Sequence, residues 1–321
     1  MNFDYIFIGT SLPMLFFVNN LIMNKKINKN NILIIEARNK IGGAWYTIDN
    51  KYCNNVDHGI HFIGAEGESN YVINEFKKYN IDLFEITNFD IEYKNQKNYI
   101  KTGMLGCKEG WDNLITKLFN NIKDRVKFNT EVTNITIDDE CNLECKETIF
   151  KCDKVFIPTH INLKNITIHN NLINLEKNMN IITVYHILFF IKSPIIKTDE
   201  NFHGIYNREK LFDRASVITS KKNIVSDKIN NIAILRVSKK FKDIFMKIKN
   251  IQDEGLKFLL EKKIICKNSV ILDYEITSYK FNHRIADYEN VKNQIKNFSK
   301  SDSIEMVYTD DLGKLVKLVK L

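Results

Sequence analysis

Apolar positions at the start of the chain form a run, a gap and a second run. Phe3-Asp4-Tyr5-Ile6-Phe7-Ile8 reads as a short strand and Gly9-Thr10-Ser11 as a turn. Leu12 to Met23 is apolar over a helical length, with Pro13 in its first turn, where the missing N–H removes no helical bond. After the polar stretch Asn24 to Asn31, Ile32-Leu33-Ile34-Ile35 is apolar at every position and ends in Glu36. Such a run suits a parallel strand covered on both faces. Strand, glycine turn, helix and strand ending in an acid predict a βαβ unit.

Further along, Tyr71 to Tyr79 has a helical pattern, and residues 81–104 alternate as short strands. Gly110-Trp111-Asp112 opens a helix to about Ile122, with Leu114, Ile115, Leu118, Phe119 and Ile122 on one face. Strands are expected at Val126 to Phe128, Val132 to Ile137, Glu147 to Phe150 and Lys154 to Ile157, the last ended by Pro158. From about residue 165 the runs Ile181–Ile191, Ser216–Thr219, Ile232–Val237 and Ser269–Ile276 predict an antiparallel sheet, interrupted by a helix over Lys240–Lys262. Ile304 to Tyr308 reads as a last strand, and Lys314 to Leu321 as a closing helix.

Composition narrows the classes. With 44% hydrophobic and 27% charged residues, the chain is neither generally disordered nor collagen-like. The formal net charge of +8 is spread along the whole chain, without zinc-finger spacing or an RRM-like aromatic signature, and so reads as a lysine-rich solvated surface rather than a nucleic-acid module. Ile181–Ile191 is the longest apolar run, and it falls well short of the roughly 20 residues of a membrane-spanning helix. The tail Lys314 to Leu321 is expected to pack its apolar side on the fold rather than touch a membrane. Cys53, Cys107, Cys141, Cys145, Cys152 and Cys266 stand in a chain whose start lacks the basic region of a secretory signal, so reduced thiols and a cytoplasmic location are expected. The spacing Cys141, Cys145, Cys152 has no histidine nearer than His160, and no metal site is expected.

Candidate chemistry starts at Gly9 and Glu36. A glycine turn after a first strand lets a backbone approach a pyrophosphate at a helix N-terminus, and an acid ending the second strand can accept from ribose hydroxyls. Where the dinucleotide fingerprint has glycines, this chain reads Gly9, Ser11 and Met14. On these residues alone, an ordinary βαβ unit with Glu36 paired to a surface lysine stands beside a nucleotide site.

The downstream residues add a resemblance. Ile34-Ile35-Glu36-Ala37-Arg38 followed by Ile41-Gly42-Gly43 resembles the start of FAD-dependent oxidoreductases of the amine oxidase and protoporphyrinogen oxidase type, to which UDP-galactopyranose mutase is more distantly related. Asp57-His58-Gly59-Ile60-His61-Phe62 is similar to that family's Asp-x-Gly-x-His-Phe segment, and Lys108 to Leu114 to its segment opening a helix. Val132 to Ile135 and Cys152 to Pro158 look like its strands returning to the FAD domain, and Val307 to Gly313 like its closing motif, with Asp310-Asp311 in place of Gly-Asp.

The resemblance implies an α/β fold: a Rossmann-like FAD domain of residues 1–70, 105–165 and 285–321, with an inserted antiparallel α+β substrate domain of residues 71–104 and 166–284. It implies that FAD lies along Gly9, Thr10, Ser11 and Leu12, with Glu36 and Ala37 at the ribose and Arg38 near the phosphates. Gly42, Gly43, Ala44 and Trp45 would run beside the ribityl chain and ring, Val132 would meet the adenine, and Asp310 or Asp311 would sit near the pyrophosphate. His58 and His61 become candidate proton-transfer groups. Arg214 and Arg236 become candidates for holding a small substrate bearing a phosphate or sugar nucleotide. The implied activity is oxidation of a small molecule; a mutase-like reaction on a nucleotide sugar and a non-catalytic binding or assembly role are the alternatives.

Overall fold

The computed structural model describes residues 2–43, 45, 47–54, 56–57, 62–65, 67–86, 89–91, 103–107, 110–175, 179–192, 203–205, 210–218, 224–238, 241–285, 288–299, 302–307 and 315. His58, His61, Ala44, Asp310 and Asp311 lie outside the described residues, as does the tail apart from Leu315. The chain divides into two compact units, one of residues 1–45, 113–182 and 281–321, the other of residues 46–112 and 183–280. Residues 46–70 and 105–112 thus group with the second unit, and 166–182 and 281–284 with the first, unlike the boundaries expected from sequence.

The first unit holds the βαβ start. Strand β1 (Asn2–Ile8), helix α1 (Leu12–Met23) and strand β2 (Ile32–Ile35) follow one another, and β1 pairs in parallel with β2 through Ile6 to Leu33 and Ile8 to Ile35. On its other side β1 runs parallel to Thr148–Pro158, with Ile6 beside Val155 and Phe7 beside Phe156. A sheet of nine strands results. Its order is 171–174, 165–168, 132–137, 141–145, 148–158, β1, β2 and 126–127, and Ile304–Val307 also pairs with 148–158. β2 is buried at all four positions, as its uniformly apolar sequence requires.

Helix α1 is buried from Leu12 to Leu21. Its two internal amides are satisfied: Asn19 Nδ2 donates to the carbonyls of Leu15 and Leu118, and Asn20 Nδ2 to that of Phe16. Its end needs no glycine. Lys25 takes φ +54°, its N–H donates to Ile22 O, and the N–H of Lys26 donates to Leu21 O, a Schellman closure.

Several elements differ from the sequence expectation. Thr148–Pro158 is one strand rather than two, because it changes partners along one edge: 148–152 pairs with Cys141–Cys145, and 155–158 with Ile304–Val307. Asn165–Ile168 and Asn171–Asn174 extend the first sheet as a hairpin, turned at His169 and Asn170, both at positive φ. The helix expected over 240–262 is two, Lys242–Phe245 and Ile251–Glu261; the second carries Asp253 and Glu254 in its first turn, where the dipole favours them. Helix Tyr288–Phe298 was not expected.

The second unit is built on a six-stranded sheet in the order 271–285, 179–191, 231–237, 212–218, 203–205 and 89–91. One face packs Ile187, Phe189, Ala215, Leu235 and Val237 against Phe258 and Leu259 of helix Ile251–Glu261. The approach is close: a Cβ on Gly255 would stand 2.6 Å from Phe189 Cζ. The opposite face packs Leu188, Phe190, Ile232 and Ile234 with Tyr52, Cys53 and Val56. The α/β architecture is therefore as the sequence implied, with a second sheet antiparallel from 179–191 through 203–205 and parallel between 203–205 and the edge strand 89–91.

Candidate functional site

The candidate nucleotide site lies in the first unit, where β1 and β2 end side by side. The N–H of Gly9 donates to Ile35 O at 2.8 Å, continuing the pairing one residue past β1. There the chain turns with Gly9 at φ +88°, a conformation glycine adopts freely. Among the described residues a Cβ on Gly9 would meet nothing within 4 Å, so there the turn borders open space. Ser11 then precedes α1 in extended geometry, and its side chain caps no N–H.

The Gly42-Gly43 loop lies on this turn. Gly42 N–H donates to Thr10 O at 3.1 Å, and Ser11 and Gly42 form a parallel bridge. Gly42 and Gly43 take φ +98° and +60°, and a Cβ on Gly43 would stand 3.6 Å from Ser11 Cβ. Trp45 is buried, and its N–H donates to Gly42 O. Arg38 Nη1 reaches Gly43 O at 3.3 Å, fastening the loop to the end of β2.

Glu36 is 6% exposed, and its carboxylate is engaged within the chain. Oε2 accepts from the N–H of Thr10 at 2.9 Å and from Thr10 Oγ1 at 2.6 Å, and Oε1 accepts from the N–H of Arg38 at 3.0 Å. Its partner is thus not a surface lysine but the glycine turn itself. Glu36 and Arg38 also tie down the next segment: Thr130 N–H donates to Glu36 O, and Asn129 N–H to Arg38 O. Two residues past Thr130, buried Val132 opens its strand. Gly9 through Leu12, Glu36, Arg38, Gly42, Gly43, Trp45 and Val132 are therefore gathered around one strand-end turn, with Ala37 exposed beside them. Sequence reasoning missed the role of Thr10, which no fingerprint marks.

Arg214 and Arg236 lie in the second unit, directly opposite one another on neighbouring antiparallel strands. His186 is opposite Arg236 on the other side. Arg236 is gripped by buried Asp213, Nε to Oδ1 at 2.7 Å and Nη2 to Oδ2 at 2.8 Å, and Arg214 lies over the Phe62 ring at 4.7 Å. Asp213 reaches Arg236 because the pairing shifts by a bulge between Phe212 and Arg214. No residue pattern marks that bulge, or Asp213 as a partner. Among the described residues no group of three or more His, Cys, Asp or Glu could hold a metal ion. None of the six cysteines is in a disulfide. No helix among the described residues is long and apolar enough to cross a membrane.

No protein-family model and no curated protein matches the sequence. Solved structures do match the fold along its length. Putrescine oxidase bound to putrescine aligns over 100% of this chain and 98% of its own, at TM-score 0.65 and 8% identity. Cyclohexylamine oxidase from Brevibacterium oxydans IH-35A aligns over 100% and 97%, also at 0.65 and 8%. The chain has the amine oxidase fold. A protoporphyrinogen oxidase-like protein from Exiguobacterium sp. 255-15 aligns over 98% and 97%, at 0.62 and 9%. The amine oxidase and protoporphyrinogen oxidase resemblance seen in short sequence motifs thus extends to the architecture. At such identities it is an architecture that is shared, and each site residue has to be argued from its own surroundings.

Proposed function

We propose that this protein is an FAD-dependent oxidoreductase acting on a small molecule. The observation that carries the reading is the convergence at one strand end of a glycine turn beside open space, the Gly42-Gly43 loop and a buried acid, within an amine oxidase fold. The space beside Gly9 suits a pyrophosphate, because no Cβ competes for it and α1 begins three residues on. The ribose end fits less freely, since most of Glu36's acceptor positions are taken. In this reading Gly9 to Leu12 line the phosphates, Glu36 and Ala37 meet the ribose, Arg38 holds the Gly42–Trp45 loop in place beside the ligand, and Val132 borders the adenine. Bound FAD would supply the two-electron acceptor; the chain's part is to bind, orient and shield it.

The remaining roles belong to the same reading. His58 and His61 are proposed to move protons, and Asp310 or Asp311 to lie by the pyrophosphate. The first unit is the cofactor unit and the second the substrate unit. Arg214 and Arg236 are proposed to meet an anionic substrate group, Arg236 with two of its donors already held by Asp213. Six cysteines outside any disulfide support a cytoplasmic location. The engaged carboxylate of Glu36 favours, as a second reading, a relative that keeps the fold without redox chemistry.

Thermal melting with added ligand tests the proposal. At 100 times its dissociation constant a ligand adds about 2.7 kcal/mol. FAD is expected to raise the melting temperature more than FMN or NAD does; equal shifts with FMN and FAD would remove the adenosine half from the site.

A further inference from the structure

Glu36 offers a carboxylate with about four acceptor positions, and three are filled from within the chain. Two of these fall on Oε2, from the N–H and the hydroxyl of one residue, Thr10. The shortest contact, 2.6 Å, comes from the hydroxyl. A ribose cis-diol would present the same chemistry, neutral O–H donors to an ionised acceptor, but needs two positions where about one remains. The two demands cannot be met together at this geometry.

We infer that the Thr10 hydroxyl is an internal stand-in for a ribose hydroxyl, a latch that closes the nucleotide site by occupying Glu36 until a ribose displaces it. This deepens the flavin reading and rests on it for the identity of the nucleotide. The N–H of Thr10 stays in place whatever the side chain does, because Thr10 O is held by Gly42 and Gly9 by Ile35. The hydroxyl alone is free to leave, by one rotation about χ1. Closing the site this way leaves neither carboxylate oxygen of Glu36 unpaired, at a position only 6% exposed. Displacing the hydroxyl lowers affinity for any ligand that must bind there. Thr10 is accordingly a residue that sets nucleotide affinity, and its removal should help binding rather than harm it.

The test is equilibrium binding of FAD and of ADP to the full-length wild type, Thr10→Val, Thr10→Ala and Thr10→Ser, with melting of each protein without ligand. Thr10→Val and Thr10→Ala lose the hydroxyl by different routes, so failure of one to fold leaves the other. Both are expected to melt lower than wild type when empty, yet to bind FAD and ADP about 10-fold or more tightly, the size of one hydrogen bond to a charged group. Thr10→Ser keeps a hydroxyl and should behave as wild type. Equal or weaker FAD binding by the hydroxyl-free variants would overturn the latch while leaving the flavin reading intact. Tighter ADP binding without any FAD binding would uphold the latch and remove the flavin. No binding of either ligand by any of the four proteins would overturn both.

Discussion

Asp213 and Arg236 are joined by two parallel hydrogen bonds, 2.7 and 2.8 Å long, across a bulge in the second sheet. Asp213 is 4% exposed and the Arg236 side chain 22%, so neither charge is well solvated alone. Asp213→Ala leaves Arg236 half-buried without its carboxylate, and urea unfolding should show a loss of about 2–4 kcal/mol. Asp213→Ala with Arg236→Met removes both charges and should lose less than the sum of the single changes. Additive losses would mean that the pair is not coupled.

Gly9→Ala should destabilise the protein by about 1–2 kcal/mol, because a Cβ is disfavoured at positive φ even in open space. That same Cβ points where no atom of the described residues lies within 4 Å, the space proposed for the pyrophosphate. FAD binding should therefore fall by more than the stability loss accounts for. Full flavin affinity in Gly9→Ala would move the phosphates elsewhere.

Asp112 gives a pH signature. Burial, and then the negative charge of Asp49, push its carboxyl above the ordinary carboxylate range. The folded protein therefore holds this proton more tightly than the unfolded chain does. The group favours folding at low pH and opposes it once pH has risen past the folded value. Asp112→Asn should be more stable than wild type at neutral pH, with the gain shrinking as pH falls into the carboxylate range. Urea midpoints across pH check this; a gain independent of pH would assign the effect to something other than titration.

Gly255→Val tests the packing of the second unit. Its Cβ would stand 2.6 Å from Phe189 Cζ and 3.4 Å from Leu235 Cδ1. A ring fixed in a packed sheet face cannot move freely, so overpacking should cost about 1–3 kcal/mol in urea unfolding. Flavin affinity should be unaffected, since Gly255 is not among the residues assigned to the cofactor.

The opening βαβ unit was legible because three signals agree there: an all-apolar strand, Pro13 at the start of the helix and a glycine between strand and helix. The hairpin at 165–174 was not, because its turn uses His169 and Asn170 at positive φ in place of a glycine. Thr148–Pro158 read as two strands because a change of partner leaves no mark on the alternation of side chains. The convergence of the candidate residues was legible in its parts. Gly9, Glu36, Gly42 and Gly43 all come to the same turn. The state of Glu36 was not, since its hydrogen bonds with Thr10 span 26 residues and depend on how the turn is placed. Sequence reasoning gave the acid a ribose or a lysine as partner, and the partner in the structure is the turn that was to hold the phosphates.

Whether this chain carries FAD can be read directly. The most direct measurement is the visible absorbance spectrum of the purified full-length protein, followed by heat release and identification of the bound cofactor. A flavin spectrum is expected, either as isolated or after incubation with FAD and removal of the excess, with FAD rather than FMN released. A protein that stays colourless after incubation with FAD, in wild type and in Thr10→Ala alike, would contradict the flavin reading.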